Sequence, residues 1–415
     1  MKVLLVSSSS GSRGGGEFYL LGLAKGLIEC GHDVQIQMSD HANMDELAVM
    51  CNAEGINCGR FRYTNTYHRR FRALGAAMDS VTVKAAVEMI QNSEAEIVHL
   101  NFQCVEDGLD LFGAGAACGV PCVATVHVTR SMHALGAAFG RLRDAIARRL
   151  IRKSRIPLIG ISDVSTVDLA DFVGTEWTSA GTESTQRAAS AANRVYSVAN
   201  GVAKAEVGDR NSLRNEWGLA DDAFVLGCIA RLEAQKNPEF IIPLLNALPG
   251  NVHVVWVGDG RLRSSIEEKL SAAGLADRVI LDGWRSDATS RMGGFDAFIL
   301  PSLYEGMPLA ILEAMSAGLP CVVSDVDGTR NAIEHGVSGF LCEVNHVSSW
   351  ASTITGLMES PELRNQIGET ARERHLTNFS LKAMAERTLN VYETVVKEFQ
   401  SPVVSRQQNS TNNQL

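Results

Sequence analysis

Residues Phe295 to Gly318 read FDAFILPSLYEGMPLAILEAMSAG, and the fold can be worked outward from them. The apolar, β-capable run Ala297 to Leu300 predicts a buried strand that stops at Pro301. The loop Ser302-Leu303-Tyr304-Glu305-Gly306-Met307 follows, and Pro308 is placed at the first helical position, where a missing N–H does no harm. Leu309, Ile311, Leu312, Ala314 and Met315 make a largely apolar helix that Gly318 ends. Glu305 then stands just ahead of a helix N-terminus, with Glu313 roughly 7–8 Å along the axis from the helix start. The free N–H groups and partial positive charge of a helix start suit a phosphate. A carboxylate one ribose farther on can accept hydrogen bonds from two sugar hydroxyls. Taken alone, the two glutamates also read as solvated surface charges. The apolar surroundings of Glu313 argue against that, because an unpaired carboxylate is costly there.

The pattern E-G-M-P-L-A-I-L-E, followed by AMSAGLPCVVSDV, resembles the donor-site signature of the retaining glycosyltransferases of GT family 4. Further motifs along the chain agree with it in order and spacing, so the resemblance runs from Val3 to Phe399. It implies an α/β protein of the GT-B fold, two Rossmann-like doubly wound domains facing across a cleft. Residues 1–199 are expected to form the acceptor domain, with a last helix at 381–400 returning to pack on it. Residues 200–380 are expected to form the nucleotide-sugar donor domain. Residues 401–415, poor in apolar side chains, are expected to be disordered.

Composition agrees with two soluble cores. A chain of 415 residues is too long for one ordinary core. It contains 45% hydrophobic and 20% charged residues, and no apolar run is long enough to span a bilayer. The short run Val3 to Val6 reads as a first strand rather than a signal peptide. Nine scattered cysteines, an odd number, point to a reduced, cytoplasmic interior. A net charge of −9 argues against general nucleic-acid binding.

In the first half, strand Lys2 to Val6, a glycine-rich turn through Gly14-Gly15-Gly16-Glu17 and a helix lead to strand Val34 to Met38, a βαβ unit. The glycine spacing is not the GxGxxG that a Rossmann oxidoreductase needs. A flexible turn with no ligand is one reading. The resemblance implies the other, in which the backbone at Gly15 and Gly16 meets the donor diphosphate or the acceptor. Strand and helix signals then alternate through Ile56 to Tyr63, Ala85 to Ile90, Ile97 to Leu100, Val105 to Ala117 and Pro121 to His127, as in a parallel sheet covered on both faces. Ligands of such sheets lie at the carboxyl ends of the strands, which marks His127 and, with less force, His99. His99 reads better as structural. The resemblance gives His127 contact with the transferred sugar.

Two basic clusters lie in this half. Arg141, Arg143, Arg148, Arg149, Arg152, Lys153 and Arg155 fall on an amphipathic helix, and Arg60, Arg62, His68, Arg69, Arg70 and Arg72 form a second group. Either a solvated face or peripheral contact with an anionic membrane fits them, as does an anionic acceptor. The Thr-, Ser- and Ala-rich insertion 174–193 has no functional reading.

In the second half, strand Phe224 to Ile229 runs into Ala230-Arg231-Leu232-Glu233-Ala234-Gln235-Lys236. Loop cations are usually solvated, but the match to the family's G-R-L-x-x-x-K implies that Arg231 and Lys236 stabilise a departing diphosphate. The turn Gly258-Asp259-Gly260 and the loop Asp282-Gly283-Trp284-Arg285 are further strand ends. By resemblance Gly258, Asp259 and Arg285 line the donor, while Trp284 reads equally as packing. Asp325-Val326-Asp327 invites a metal, but its context matches a strand-to-glycine turn of the family, whose members usually act without one.

The expectation is therefore a metal-independent, retaining hexosyltransferase with no cofactor, working in cell-surface polysaccharide or glycoconjugate synthesis. The donor is a UDP-, GDP- or ADP-sugar, and the acceptor a glycan, lipid-linked or small molecule. His127, Arg231, Lys236 and Glu305 are the catalytic candidates. Gly306, Met307, Leu309 and Glu313 hold the sugar and ribose. The location expected is cytoplasmic, peripheral at the inner face of the membrane. A catalytically idle nucleotide-sugar-binding subunit, or another GT-B enzyme such as a phosphorylase or epimerase, is the rival.

Overall fold

A computed structural model describes residues 1–8, 14–69, 71–175 and 194–401. Arg70, most of the 174–193 insertion and the tail beyond Ser401 lie outside the described residues. The chain forms two compact units, Met1–Gly201 together with the chain from Leu381, and Val202–Ser380.

The first unit is a seven-stranded sheet of β1 (Lys2–Ser7), β2 (Asp33–Ser39), β3 (Asn57–Phe61), β4 (Ile97–Cys104), β5 (Cys122–Val128), β6 (Leu158–Gly160) and β7 (Val195–Ser197). The order is β3-β2-β1-β4-β5-β6-β7, parallel throughout. Parallel neighbours require crossovers, and the intervening helices cover both faces, so the strands are apolar on both sides. Leu4, Val98, Leu100 and Phe102 face one core layer, and Val3, Leu5, Ile36 and Val123 the other. Into the second layer the last helix, Leu381–Phe399, inserts Leu381, Met384, Val391, Tyr392 and Val395. A Cβ on Gly26 of helix Gly15–Glu29 would lie 2.6 Å from the Leu381 carbonyl oxygen, so the two helices approach closely only because Gly26 has none.

The second unit is a six-stranded sheet of β8 (Phe224–Ile229), β9 (Val252–Val257), β10 (Val279–Gly283), β11 (Ala297–Leu300), β12 (Cys321–Ser324) and β13 (Phe340–Cys342). Its order is β10-β9-β8-β11-β12-β13, again parallel. Trp256, Phe298 and Trp350 are fully buried in it.

Several boundaries differ from the sequence reading. The helix expected from Val105 starts at Leu109, because Glu106 and Asp107 turn inward, to Arg143 and Ser8. Pro308 is the N-cap, with extended backbone, and Leu309 is the first helical residue. The strand expected over Ile56 to Tyr63 is confined to Asn57–Phe61. Among the described residues, no helix is long and apolar enough to cross a membrane.

Candidate active site

In the second unit the carboxyl ends of β8, β9 and β11 gather most of the residues marked by the sequence. β11 delivers Pro301 and Ser302 into the loop before helix Leu309–Ala317. There Glu305 is almost wholly buried and accepts from three side chains. Lys236 Nζ lies 2.5 Å and Ser302 Oγ 2.6 Å from its Oε1, and Gln235 Nε2 lies 3.4 Å from its Oε2. Gln235 also donates to the Tyr304 carbonyl, at 3.0 Å, and its own carbonyl accepts from Leu303 N–H, at 2.8 Å. The 230–237 loop and the 302–306 loop are thus fastened to each other. Lys236, expected to stabilise a departing diphosphate, shares its charge with Glu305.

Arg231 is different. It is exposed, and among the described residues its guanidinium has no hydrogen-bond or ion-pair partner. Its backbone is held by the glycine turn after β9. Gly258 has φ +138°, which L side chains rarely adopt, and a Cβ there would lie 2.1 Å from the Ala230 carbonyl oxygen. Leu232 N–H donates to the Asp259 carbonyl at 3.0 Å, and Asp259 Oδ1 accepts from Gly260 N–H at 2.7 Å. Asp259 therefore shapes this turn.

Glu313 lies one turn into helix Leu309–Ala317, half-buried, and no described residue hydrogen-bonds to it. Burial pushes its carboxyl up to about 7. The first N–H groups of this helix have no intrahelical acceptor, and Gly306 beside them is exposed. Met307 is buried and Leu309 half-buried. A Cβ on Gly328 would lie 2.3 Å from the Gly306 carbonyl oxygen, so the turn after β12 supports the 305–306 backbone from behind. Asp325 and Asp327, the D-x-D pair, both accept from Arg330, at 2.6 and 3.1 Å. Arg285 is paired with Asp287 at 3.0 Å, and Trp284 is 53% exposed.

In the first unit the strand ends bring Gly15, Gly16 and His127 to one place. Gly15 and Gly16 open helix Gly15–Glu29. Glu17, buried in its first turn, accepts from Gly14 N–H at 2.9 Å. Asn101, in the middle of β4, joins the pieces: its Nδ2 donates to the Gly16 carbonyl at 3.2 Å, and its Oδ1 lies 2.8 Å from His127 Nε2. With the amide so oriented, Nε2 carries the proton and Nδ1 keeps a lone pair. Burial lowers the His127 pKa to about 4, so the ring is neutral at pH 7. A neutral imidazole with a free Nδ1 accepts from a hydroxyl and is unsuited to holding a phosphate. His99 is structural: its Nδ1 meets Tyr392 Oη at 2.7 Å, its Nε2 meets Thr125 Oγ1 at 2.8 Å, and burial drives its pKa to about 3.

Sequence reasoning missed Asn101, Ser302 and Gln235. Asn101 directly follows the strand read as Ile97 to Leu100, which is the signal that could have found it, although β4 in fact continues to Cys104.

Comparison with known proteins places this architecture in a class. A share of 95% of the chain superposes on the whole of Anabaena HepE solved with UDP, at a TM-score of 0.75 and 20% identity. A second HepE structure, with UDP-glucose, gives 0.73 at 21% over the same shares. The two parallel sheets are those of GT-B glycosyltransferases. Residues 209–374, nearly all of the second unit, match the model of the family "Glycosyl transferases group 1". Among curated relatives it is 34% identical over 182 residues to the UDP-Gal:alpha-D-GlcNAc-diphosphoundecaprenol alpha-1,3-galactosyltransferase of Escherichia coli, covering 42% of this chain and 46% of that one. It is 31% identical over 191 residues to the alpha-D-kanosaminyltransferase of Streptomyces kanamyceticus, covering 45% and 49%. The chain spans about half the length of the curated relatives it matches.

Proposed function

We propose that the chain is a retaining, metal-independent glycosyltransferase that takes a hexose from a UDP-sugar. The acceptor is a glycan, lipid-linked or small-molecule hydroxyl bound on the first unit. The observation that carries this reading is the unpartnered, half-buried carboxyl of Glu313 one turn inside a helix whose N-terminus is open. A carboxyl left without donors is satisfied by a vicinal diol, and the helix start beside it by a phosphate or a sugar hydroxyl.

In this mechanism Glu313 accepts from the two ribose hydroxyls. Arg231 and Lys236 hold the diphosphate, and Glu305 with the Gly306–Leu309 backbone holds the sugar. Gly258 and Asp259 fix the Arg231 loop. The His127 Nδ1 accepts from a hydroxyl of the transferred sugar. The acceptor oxygen attacks the anomeric carbon from the face the diphosphate leaves. The anomeric C–O bond to phosphate breaks, and the acceptor's proton passes to the departing phosphate oxygen. Glu305 is a poor candidate for a covalent nucleophile, because Lys236 and Ser302 already occupy its Oε1. Negative charge growing on the leaving diphosphate is stabilised by fixed cations. Removing one such stabiliser commonly lowers turnover by about 10²–10³-fold.

The test is nucleotide release from UDP-, GDP- and ADP-hexoses, with and without EDTA, and the anomeric configuration of any glycoside formed. Release from a UDP-sugar, unaffected by EDTA and with retained configuration, is expected. Dependence on a divalent cation, inversion, or a trapped covalent glycosyl-enzyme contradicts the mechanism.

A further inference from the structure

One surface of the first unit carries apolar side chains that the fold leaves in water. Helix Gly140–Ser154 buries Gly140, Asp144, Ala147 and Ile151 and turns its opposite face outward. On that face stand Leu142, 62% exposed, and the cations Arg149 and Lys153, seven and eleven residues farther on and so on the same stripe. Just before the helix, Phe139 is 83% exposed and Leu135 is also exposed. The helix packs against helix Arg72–Ala77, whose outer side adds Phe71, Leu74 and Met78, the last 75% exposed.

The fold holds this arrangement under strain. Phe139 has φ +56° and Arg72 has φ +40°, a region that bulky residues rarely enter. Phe139 is held there from both sides. Asp144 accepts from the N–H groups of Met132 and His133, at 2.7 and 3.0 Å, and a Cβ on Gly140 would lie 2.6 Å from the His133 backbone. A strained backbone that presents an aromatic ring to solvent gains nothing for the core, and such strain marks functional positions.

Charge says what covers the surface. Within residues 130–155 the one carboxylate is Asp144, which is buried, and residues 71–78 contain none. Arg143 is spent on Glu106, Arg152 donates to the Val173 carbonyl and Arg148 lies over the Phe172 ring. Arg149, Lys153 and Arg155 have no partner among the described residues. In the second cluster Arg69 is likewise internal, paired with Asp79 and Asp110, so it is not part of an exposed basic patch.

We propose that this face, Phe139 and Leu142 with Leu74 and Met78 beside the cations Arg149 and Lys153, docks on a bilayer that contains anionic lipid. The apolar side chains enter the boundary between headgroups and acyl chains, and the cations meet the headgroups. Such binding is surface attachment, and it does not depend on the chain's being a transferase.

The experiment is flotation of the full chain with vesicles of phosphatidylcholine alone and of phosphatidylcholine containing phosphatidylglycerol, at low and high salt. Binding to the anionic vesicles only, weakened by salt, is expected. The double variant Arg149→Glu, Lys153→Glu should bind at least about tenfold less, because each cation near an anionic surface contributes roughly fivefold. Phe139→Asn should also lose binding, while retaining cooperative unfolding and any stabilisation by UDP. Equal binding to both vesicles, no binding to either, or variants that bind like the parent overturns the proposal. So does light scattering that shows a dimer dissociated by Phe139→Asn in a protein that ignores vesicles, which would give the face to a second copy of this chain.

Discussion

Glu313 is the residue on which most depends. Its carboxyl titrates near 7 in the folded chain, well above its ordinary value of 4.5, because burial disfavours the charged form. A carboxyl raised on folding opposes the folded state once it ionises, so the penalty is absent at pH 4, grows through pH 5–7 and is complete above. Glu313→Gln should therefore raise the melting temperature of the ligand-free protein at pH 8 and leave it nearly unchanged at pH 4. Melting curves at the two pH values check this. Lys236→Ala should behave oppositely. It strands the buried Glu305 carboxylate, and breaking such a pair costs about 3–5 kcal/mol. Denaturant unfolding of Lys236→Ala beside Lys236→Ala, Glu305→Gln separates that loss from any effect on turnover. At Phe139, asparagine tolerates the left-handed backbone, so Phe139→Asn should stabilise the fold by about 1 kcal/mol.

At the scale of elements, the 302–308 loop is positioned by what lies behind it. Gly328→Ala places a methyl against the Gly306 carbonyl oxygen and should cost about 1–3 kcal/mol, while moving the backbone assigned to the sugar. Steady-state kinetics should show turnover falling more than nucleotide affinity. The strand-loop-helix around Glu305 was legible because its signals are local: an apolar run, a proline, an apolar helix and a stopping glycine. Pro308 missed by one position, since a proline suits the cap as well as the first turn. The Lys236–Glu305 pair was hidden because its partners are 69 residues apart and meet only when β8 and β11 pair. The strand-end rule found His127, but Asn101, which sets its tautomer, passed as an ordinary residue in an apolar strand. Composition marked a basic helix, and the inward turn of Arg143 and Arg69 depends on carboxylates from other elements.

The molecule as a whole consists of two parallel-sheet units, and the first is finished by the last helix. Removing residues 381–399 takes Tyr392 from His99 and uncovers several apolar side chains, each worth about 1.5–3 kcal/mol when buried. The truncated chain should be insoluble or unfold without cooperativity, which sedimentation and circular dichroism would show. In the proposed function the nucleotide belongs to the second unit alone, with Glu313 as its ribose contact.

Calorimetric titration of the intact chain with UDP at pH 6 and pH 8, for the parent and for Glu313→Gln, tests that assignment directly. Ribose hydroxyls favour the ionised carboxylate, so the parent should bind more tightly at pH 8, where Glu313 is already ionised, and release a proton from Glu313 as it binds at pH 6. UDP's own phosphate titrates in both proteins and cancels in the comparison. Glu313→Gln should bind more weakly at pH 8 and lose the excess pH dependence. Equal affinity and equal pH dependence in the two proteins would contradict the account.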